Sequence, residues 1–349
     1  MRQAMASIFN DKAENMRGKI AGLYGLLGAA NLAAWAWALT AFRNYPVLLG
    51  TALLAYSLGL RHAVDADHIA AIDNVTRKLM QEGRRPAAVG FFFSLGHASV
   101  VVLAVLAIAA AASAFRSRFG VWHDVGSVVG TLISAAFLLA IAVINIVILI
   151  GVYGTFRRVR SGRAGGGAEI GLALSGQGPL ARLFRPLFGM IRRSWHMYPL
   201  GFLFGLGFDT ASEVALLGIS AVQAARGLPI WSILVFPALF AAGMSLVDTT
   251  DGVLMLGAYG WAFVKPVRKL YYNLTITAVS ILVALFVGGI EALGLAAGRF
   301  GFTGPFWRWI AALNDNFGTI GYAIIALFAA SWLVSALIYR ACGYDRLDA

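Results

Sequence analysis

The sequence predicts an all-α protein that crosses the membrane eight times. Three observations carry that prediction. Of the 349 residues, 60% are apolar and 13% charged, whereas soluble domains carry about 25% charged residues. The mean hydropathy is +0.77. Eight apolar stretches approach or exceed the roughly 20 residues that one helical crossing needs. They run over about 20–41, 47–73, 87–114, 125–153, 198–222, 230–263, 271–297 and 317–340.

Taken in order, the chain opens without an apolar core between Met1 and Lys19, so a cleavable signal peptide is not expected. Span one follows. Spans two and six are longer than a crossing requires, so each is tilted, broken or extended beyond the bilayer. The connection from Gly154 to His196 is the one long loop. Its GRAGGG and GQGP runs and its arginines read as a flexible basic linker. It divides a single membrane domain, residues 1–349, into halves of four spans, 1–153 and 197–349. Cys342 is the only cysteine, so no intrachain disulfide can form, and Cys/His zinc spacing is absent.

The net charge of +12 would suit a nucleic-acid partner, but the positive residues sit in short loops, where they set topology. One face of the membrane receives Arg43, Arg116, Arg118, Arg226, Arg299 and Arg308. Arg61 lies within a span, and the rest of the 28 Lys and Arg residues fall on the other face. That bias places both termini in the cytoplasm and requires an even number of spans. The expected location is the cytoplasmic membrane, with the lipid bilayer as partner and no nucleic acid.

Polar residues inside the spans mark the functional region, because ionisable groups are costly in hydrocarbon. Span two carries RHAVDADHIAAIDN from Arg61 to Asn74, with His62, Asp65, Asp67, His68 and Asp73. Span three adds His97, span five Asp209 and Glu213, and span six Asp248 and Asp251. His97 lies about ten residues past Pro86, or ~15 Å along a helix, near the middle of a ~30 Å core. Asp209 lies a similar distance past Pro199, so the groups converge on one depth. Imidazole with carboxylate is borderline-metal chemistry. On a regular helix His62 and His68 point about 120° apart. They therefore serve different sites, or span two unwinds between them; a break is the favoured expectation, since non-helical backbone is tolerated where it lines a site. A break would also free backbone amides as ligands or donors. Asp209 with Glu213 and Asp248 with Asp251 share helix faces and, with neighbouring threonines, suit an orienting role. Singly, Asn31 and Asn145 read as interhelical hydrogen-bond donors, His97 as a packing residue, Glu291 as interfacial and Arg61 as the neutraliser of an aspartate.

Four motifs then resemble the nickel/cobalt transporter family of secondary permeases. They are His62-x4-Asp67-His68, LGHASVVV from Leu95, LGFDTASE from Leu206 and GMSLVDTTD from Gly243. Ser212 stands where the family pattern has threonine. The resemblance implies uptake of Ni²⁺, sometimes Co²⁺, as the transported substrate, with no cofactor. It implies that His62, Asp67 and His68 are essential, with His97 nearby, and it makes Val64 a weak pointer to nickel. Asn31, Val64, Asp65, Asp209, Glu213, Asp248 and Asp251 are the expected supporting residues. The loop lacks the histidines of related exporters, which favours uptake. The alternatives are an exporter of the same fold, a metalloenzyme, for which HExxH is missing, and a membrane subunit of a larger complex. No Walker A pattern is present, so no ATP-hydrolysing subunit is expected. A last expectation is a faint echo between halves. LGLRHAVDADHI of span two resembles LGFDTASEVALL of span five, and LGHASVVV resembles AGMSLVDT of span six. That is the pattern of an inverted repeat of spans 2–4 and 5–7.

Overall fold

The computed structural model describes residues 8–12, 14–110, most of 128–157, 191–206, 211–262 and 266–341. Among the described residues the regular structure is all helix. We number the helices α1 Met16–Ala41, α2 Pro46–His62, α3 Ala66–Gln81 and α4 Val89–Ala110, then α5 Thr131–Val147. The second half holds α6 Met197–Gly205, α7 Ala211–Ala225, α8 Ile230–Ile233, α9 Val235–Ala262, α10 Pro266–Phe300, α11 Pro305–Asn314 and α12 Phe317–Ala341. Four helices are long and apolar enough to cross a bilayer, and up to six spans result if each bent pair is one span. The linker expected between Gly154 and His196 lies mostly outside the described residues.

Local sequence explains the helix ends that matter. α1 starts at Asn15, whose side chain accepts a hydrogen bond from the Gly18 amide at 3.2 Å and caps the first turn. Proline at the first position opens α2 and α11, where its missing N–H costs nothing. The expected break in span two is present. α2 ends at His62, α3 begins at Ala66, and the two axes differ by 50°. The break is a tight turn: the amides of Val64 and Asp65 donate to the carbonyls of Arg61 and His62 at 3.1 and 2.9 Å. These amides are therefore used by the turn itself and are not available as ligands. α12 covers the turn, with Gly321 so close to the Val64 carbonyl that a Cβ would not fit. Val64, Ile69, Phe317 and Ile324 pack around it.

Two helix crossings carry the framework, and both are made by glycines. At Gly59 of α2 a Cβ would strike the Phe240 carbonyl of α9, and at Gly243 of α9 it would meet the Tyr56 carbonyl and the Leu60 amide of α2. At Gly201 of α6 it would strike the Phe93 carbonyl of α4, and at Gly96 of α4 the Tyr198 carbonyl and the Phe202 amide of α6. Small residues allow such close approach, which drives helix association where lipid removes the hydrophobic drive. Leu32, Leu254, Leu282 and Leu337 meanwhile face outward, exposed, as suits a lipid-facing surface. At these crossings the obstruction is backbone, which cannot swing aside. Gly59→Ala and Gly201→Ala are expected to destabilise the protein by about 1–3 kcal/mol through overpacking. Gly28→Ala, whose Cβ meets nothing, should be neutral or gain up to about 1 kcal/mol of helix propensity. Thermal unfolding in detergent, followed by helical circular dichroism, checks the contrast.

Candidate metal site

The break in span two decides the site. By ending α2 at His62 and restarting at Ala66, the chain turns two imidazoles that would diverge on a regular helix into neighbours, with ring centroids 4.6 Å apart. α4 supplies His97, whose ring lies 4.7 Å from His62 and 4.9 Å from His68. Each of the three offers a nitrogen, and these atoms lie within 4.8 Å of one another. All three residues are buried, at 1%, 0% and 3% exposure for His62, His68 and His97.

A carboxylate stands behind each imidazole. Asp65 lies 3.2 Å from His62 Nδ1, Asp248 of α9 lies 3.2 Å from His68 Nδ1, and Glu213 of α7 lies 2.7 Å from His97 Nε2. An ionised carboxylate can only accept, so the contacting ring nitrogen carries the proton. His62 and His68 then donate from Nδ1 and keep the Nε2 lone pair for the interior. His68 Nε2 is buried with no hydrogen-bond partner. His62 Nε2 sits 3.0 Å from His97 Nε2 and accepts from the proton that His97 shares with Glu213. An ion that took His97 through Nε2 would have to displace that proton, since a coordinating imidazole nitrogen must be deprotonated. The constellation can thus supply imidazole donors to a borderline cation at a buried point, with carboxylates holding ring tautomer and orientation.

The expected site residues fall into three groups. His62, His68 and His97 converge, as the shared depth of His97 suggested, rather than His97 serving as a packing residue alone. Asp65, Glu213 and Asp248 support them as described. Asp67, expected as a ligand, lies half-buried in the first turn of α3 and is not in the converging group. Asp251 is one turn beyond Asp248, with its Oδ2 buried and without a hydrogen-bond partner. Asn31 locks helices together, donating to the carbonyls of Leu27 and Ala242 and accepting from the Tyr56 hydroxyl. Val64 forms the break. Asp209 lies outside the described residues. Arg61, expected against an aspartate, donates to Ser212 at 2.9 Å. Glu291, expected at the interface, is buried and accepts from Ser134 at 2.9 Å.

Sequence reasoning missed a second polar layer and a pair of rings. Asp73 accepts from Tyr259 and from Ser280. Arg77, fully buried, donates to Asn74 and Thr277 at 3.0 Å, and Asn145 donates to Asn74 at 2.8 Å. Asp73 shares span two with His62 but lies beyond the 50° bend, among this second set of partners. Phe93 stands edge-on to His68 at 4.8 Å, and Phe240 lies 5.4 Å from His62. Phenylalanine in an apolar span gives no signal of its own.

Residues 48–338 match the model of the NicO family, described as high-affinity nickel-transport protein. The chain is similar to the high-affinity nickel transport protein of Cupriavidus necator, with 61% identity over 99% of this chain and 98% of that one. It is similar to the hydrogenase nickel incorporation protein HupN of Bradyrhizobium diazoefficiens, with 54% identity over 91% and 83%. It also resembles the cobalt transport protein NhlF of Rhodococcus rhodochrous, with 43% identity over 84% and 83%. No solved structure matches the chain.

The site geometry gives the supporting carboxylates a measurable role. Asp248→Asn keeps the shape beside His68 but lets the amide donate, which no longer fixes the Nδ1–H tautomer. The expected loss is about 10–100-fold in metal affinity, read by metal titration of the purified protein. An unchanged affinity would remove Asp248 from the site.

Proposed function

The chain belongs to the high-affinity nickel-transport family, and from that premise we propose that it imports Ni²⁺ across the cytoplasmic membrane as a secondary transporter. The family and the relatives named above are transport proteins, and the chain is a multi-pass helical membrane protein, not an enzyme. The observation that carries the reading is the three-imidazole cluster, buried at the break in span two. Nitrogen donors suit Ni²⁺ and Co²⁺ better than carboxylate alone would. Co²⁺ is the second substrate this donor set accommodates. Thiolate is missing from the cluster, which disfavours Cu⁺.

Import needs a driving force. A divalent cation moving inward gains about 4.6 kcal/mol per 100 mV, twice the single-charge value, more than a thousandfold in accumulation. We read the direction as inward from that gain and the histidine-poor loop, with both termini cytoplasmic, eight crossings and no ATP-hydrolysing subunit. The proton between His97 and Glu213 is the natural point of coupling if binding releases it.

The architecture supports alternating access through an inverted repeat. The glycine crossings are its support. Tyr56, Gly59 and Leu60 do to Phe240 and Gly243 what Tyr198, Gly201 and Phe202 do to Phe93 and Gly96. Spacing along the chain agrees within each set, so span two pairs with span five and span three with span six. The pairing of Gly96 with Gly243 is the one the echo suggested. The pairing of Gly59 is with Gly201, whereas the echo had aligned LG at 58–59 with LG at 206–207. Both registers contain an LG pair, and only contact geometry distinguishes them. In this register Asp67 pairs with Asp209 and His68 with Thr210. Discontinuous helices at the midplane between repeats are the usual binding position in such folds.

Transport by the purified protein in liposomes tests the reading. With an inside-negative potential, Ni²⁺ is expected to accumulate in the lumen of vesicles carrying inward-oriented protein. His62→Ala and His68→Ala should each reduce that uptake to background while the protein still reaches the membrane and elutes as the wild type does. Accumulation that ignores the sign of the potential, or normal uptake by either variant, rejects the proposal.

A further inference from the structure

We propose that Phe93 and Phe240 are positioning residues that set the ring angles of His68 and His62, and through them the geometry offered to the metal ion. The inference rests on the metal-site reading above. A carboxylate on Nδ1 fixes the tautomer of each imidazole, yet a single hydrogen bond leaves the ring free to pivot about it. The phenylalanines remove that freedom. Phe93 meets His68 at 4.8 Å and 87°, an edge-to-face contact, while Phe240 lies against His62 at 5.4 Å and 36°. Such aromatic pairs have preferred arrangements beyond simple burial. Both phenylalanines are 0% exposed, so neither ring has solvent to swing into.

Each ring is also tied to a helix crossing. The backbone carbonyl of Phe240 is the atom that Gly59 approaches, and the carbonyl of Phe93 is the atom that Gly201 approaches. The position of each phenylalanine along its helix is thus fixed by backbone packing. α9 and α2 meet at the first, α4 and α6 at the second. The rings transmit the placement of these crossings to the imidazoles. They also stand at opposite ends of the cluster. On the topology proposed above, span three leaves the cytoplasm and reaches Phe93 one turn before His97. Span six comes from the outside and reaches Phe240 two turns before Asp248. The two rings therefore wall the site from its cytoplasmic and outer sides.

The same register pairs Phe240 with Phe93 and His62 with Phe204. Accordingly Phe204 packs on Phe93 at 5.3 Å, as His62 packs on Phe240 at 5.4 Å. Phe93 does two things at once. It fills the place that Phe240 fills in the other half, and it turns an additional edge to His68, which has no counterpart imidazole in span five. An angle imposed on donors is a route to selectivity between ions of similar affinity, since Ni²⁺ and Co²⁺ differ in preferred geometry.

Co²⁺ serves as the probe, because its visible absorption reports coordination geometry. The full-length protein is purified in detergent and titrated with Co²⁺, then with Ni²⁺ in competition. The set comprises the wild type, Phe93→Ala, Phe240→Ala, Phe93→Leu, Phe240→Leu, His68→Ala and Phe91→Ala. Phe91 stacks on Phe9 away from the histidines and serves as control. Both alanine variants and both leucine variants should change the Co²⁺ band shape, and the alanine variants should bind Co²⁺ at least tenfold more weakly. The ratio of Ni²⁺ to Co²⁺ affinity should move as well, while Phe91→Ala matches the wild type. Wild-type spectra in the alanine variants overturn the proposal. So does full recovery by leucine, since filling volume would then suffice without a flat ring. If an alanine variant does not fold, its leucine partner carries the comparison. Failure of the underlying site is recognised separately: the wild type then shows no Co²⁺ band, or His68→Ala keeps it.

Discussion

Three imidazoles meet at one buried point because the helix that carries two of them stops between them. Almost everything else follows from that interruption. A continuous span two would direct His62 and His68 to different neighbours. The stop costs helical hydrogen bonds, and the chain recovers two of them in the turn at Val64 and Asp65. It also creates a buried polar centre, which is tolerable only if its donors and acceptors are matched. The matching comes from three directions: Asp65 from the turn itself, Asp248 from α9 and Glu213 from α7. The break therefore requires particular neighbours at particular heights, and the glycine crossings hold those neighbours in place.

Burial makes this arrangement suitable for transfer of an ion. A carboxylate paired with an imidazole N–H is neutralised in part without being consumed, so the cluster stays receptive to a cation. The free Nε2 of His68 is the clearest sign. In an ordinary protein core a buried ring nitrogen without a partner is a cost. Here it is the atom with which a substrate would make its bond. One turn beyond Asp248 the Oδ2 of Asp251 is likewise buried without a partner. Further along α3, Asp73 and Arg77 are tied into hydrogen bonds with Tyr259, Ser280, Asn74 and Thr277. The polar groups are thus layered, with unpaired acceptors at the histidine cluster and its neighbour and, beyond them, a hydrogen-bonded network in which only part of the Arg77 guanidinium is engaged, its Nε being buried without a partner.

How much of this the sequence disclosed depends on which physics is local. Composition and span length identify a membrane protein of helices, because hydrocarbon imposes length and apolarity residue by residue. The close spacing of His62 and His68, set against the 3.6-residue helical turn, already demands either two sites or a break. That His97 joins the other two histidines is also largely legible, since it lies at the same depth. Which carboxylate faces which imidazole is not legible. Asp67 and Asp65 look alike in sequence, yet it is Asp65, in the turn, that lies 3.2 Å from His62 Nδ1, while Asp67 stands in the first turn of α3. The register of the internal echo is hard to read for a similar reason. Three LG pairs occur in span five, at 200–201, 206–207 and 217–218, and on the repeat reading the choice among them rests on contact between backbones of different helices, to which a string of letters is blind.

On the repeat reading the two halves divide their labour unequally. The residues that seat one helix on another recur in both: tyrosine and glycine in spans two and five, phenylalanine and glycine in spans three and six. The residues that do chemistry do not recur. His62 pairs with Phe204, His68 with Thr210 and His97 with Met244, while the aspartate at 67 pairs with that at 209. A symmetric binding site would place donors from both halves on the axis and bind identically in either conformation. This chain instead keeps a symmetric scaffold, which is what rocking between two equivalent packings needs, and loads its imidazoles into one half. The imidazoles then come from spans two and three, while α7 and α9 contribute the carboxylates beside those rings. Any movement of one half against the other shifts Glu213 and Asp248 relative to the imidazoles they hold. On the transport reading proposed above, the affinity of the site would follow the conformation of the protein.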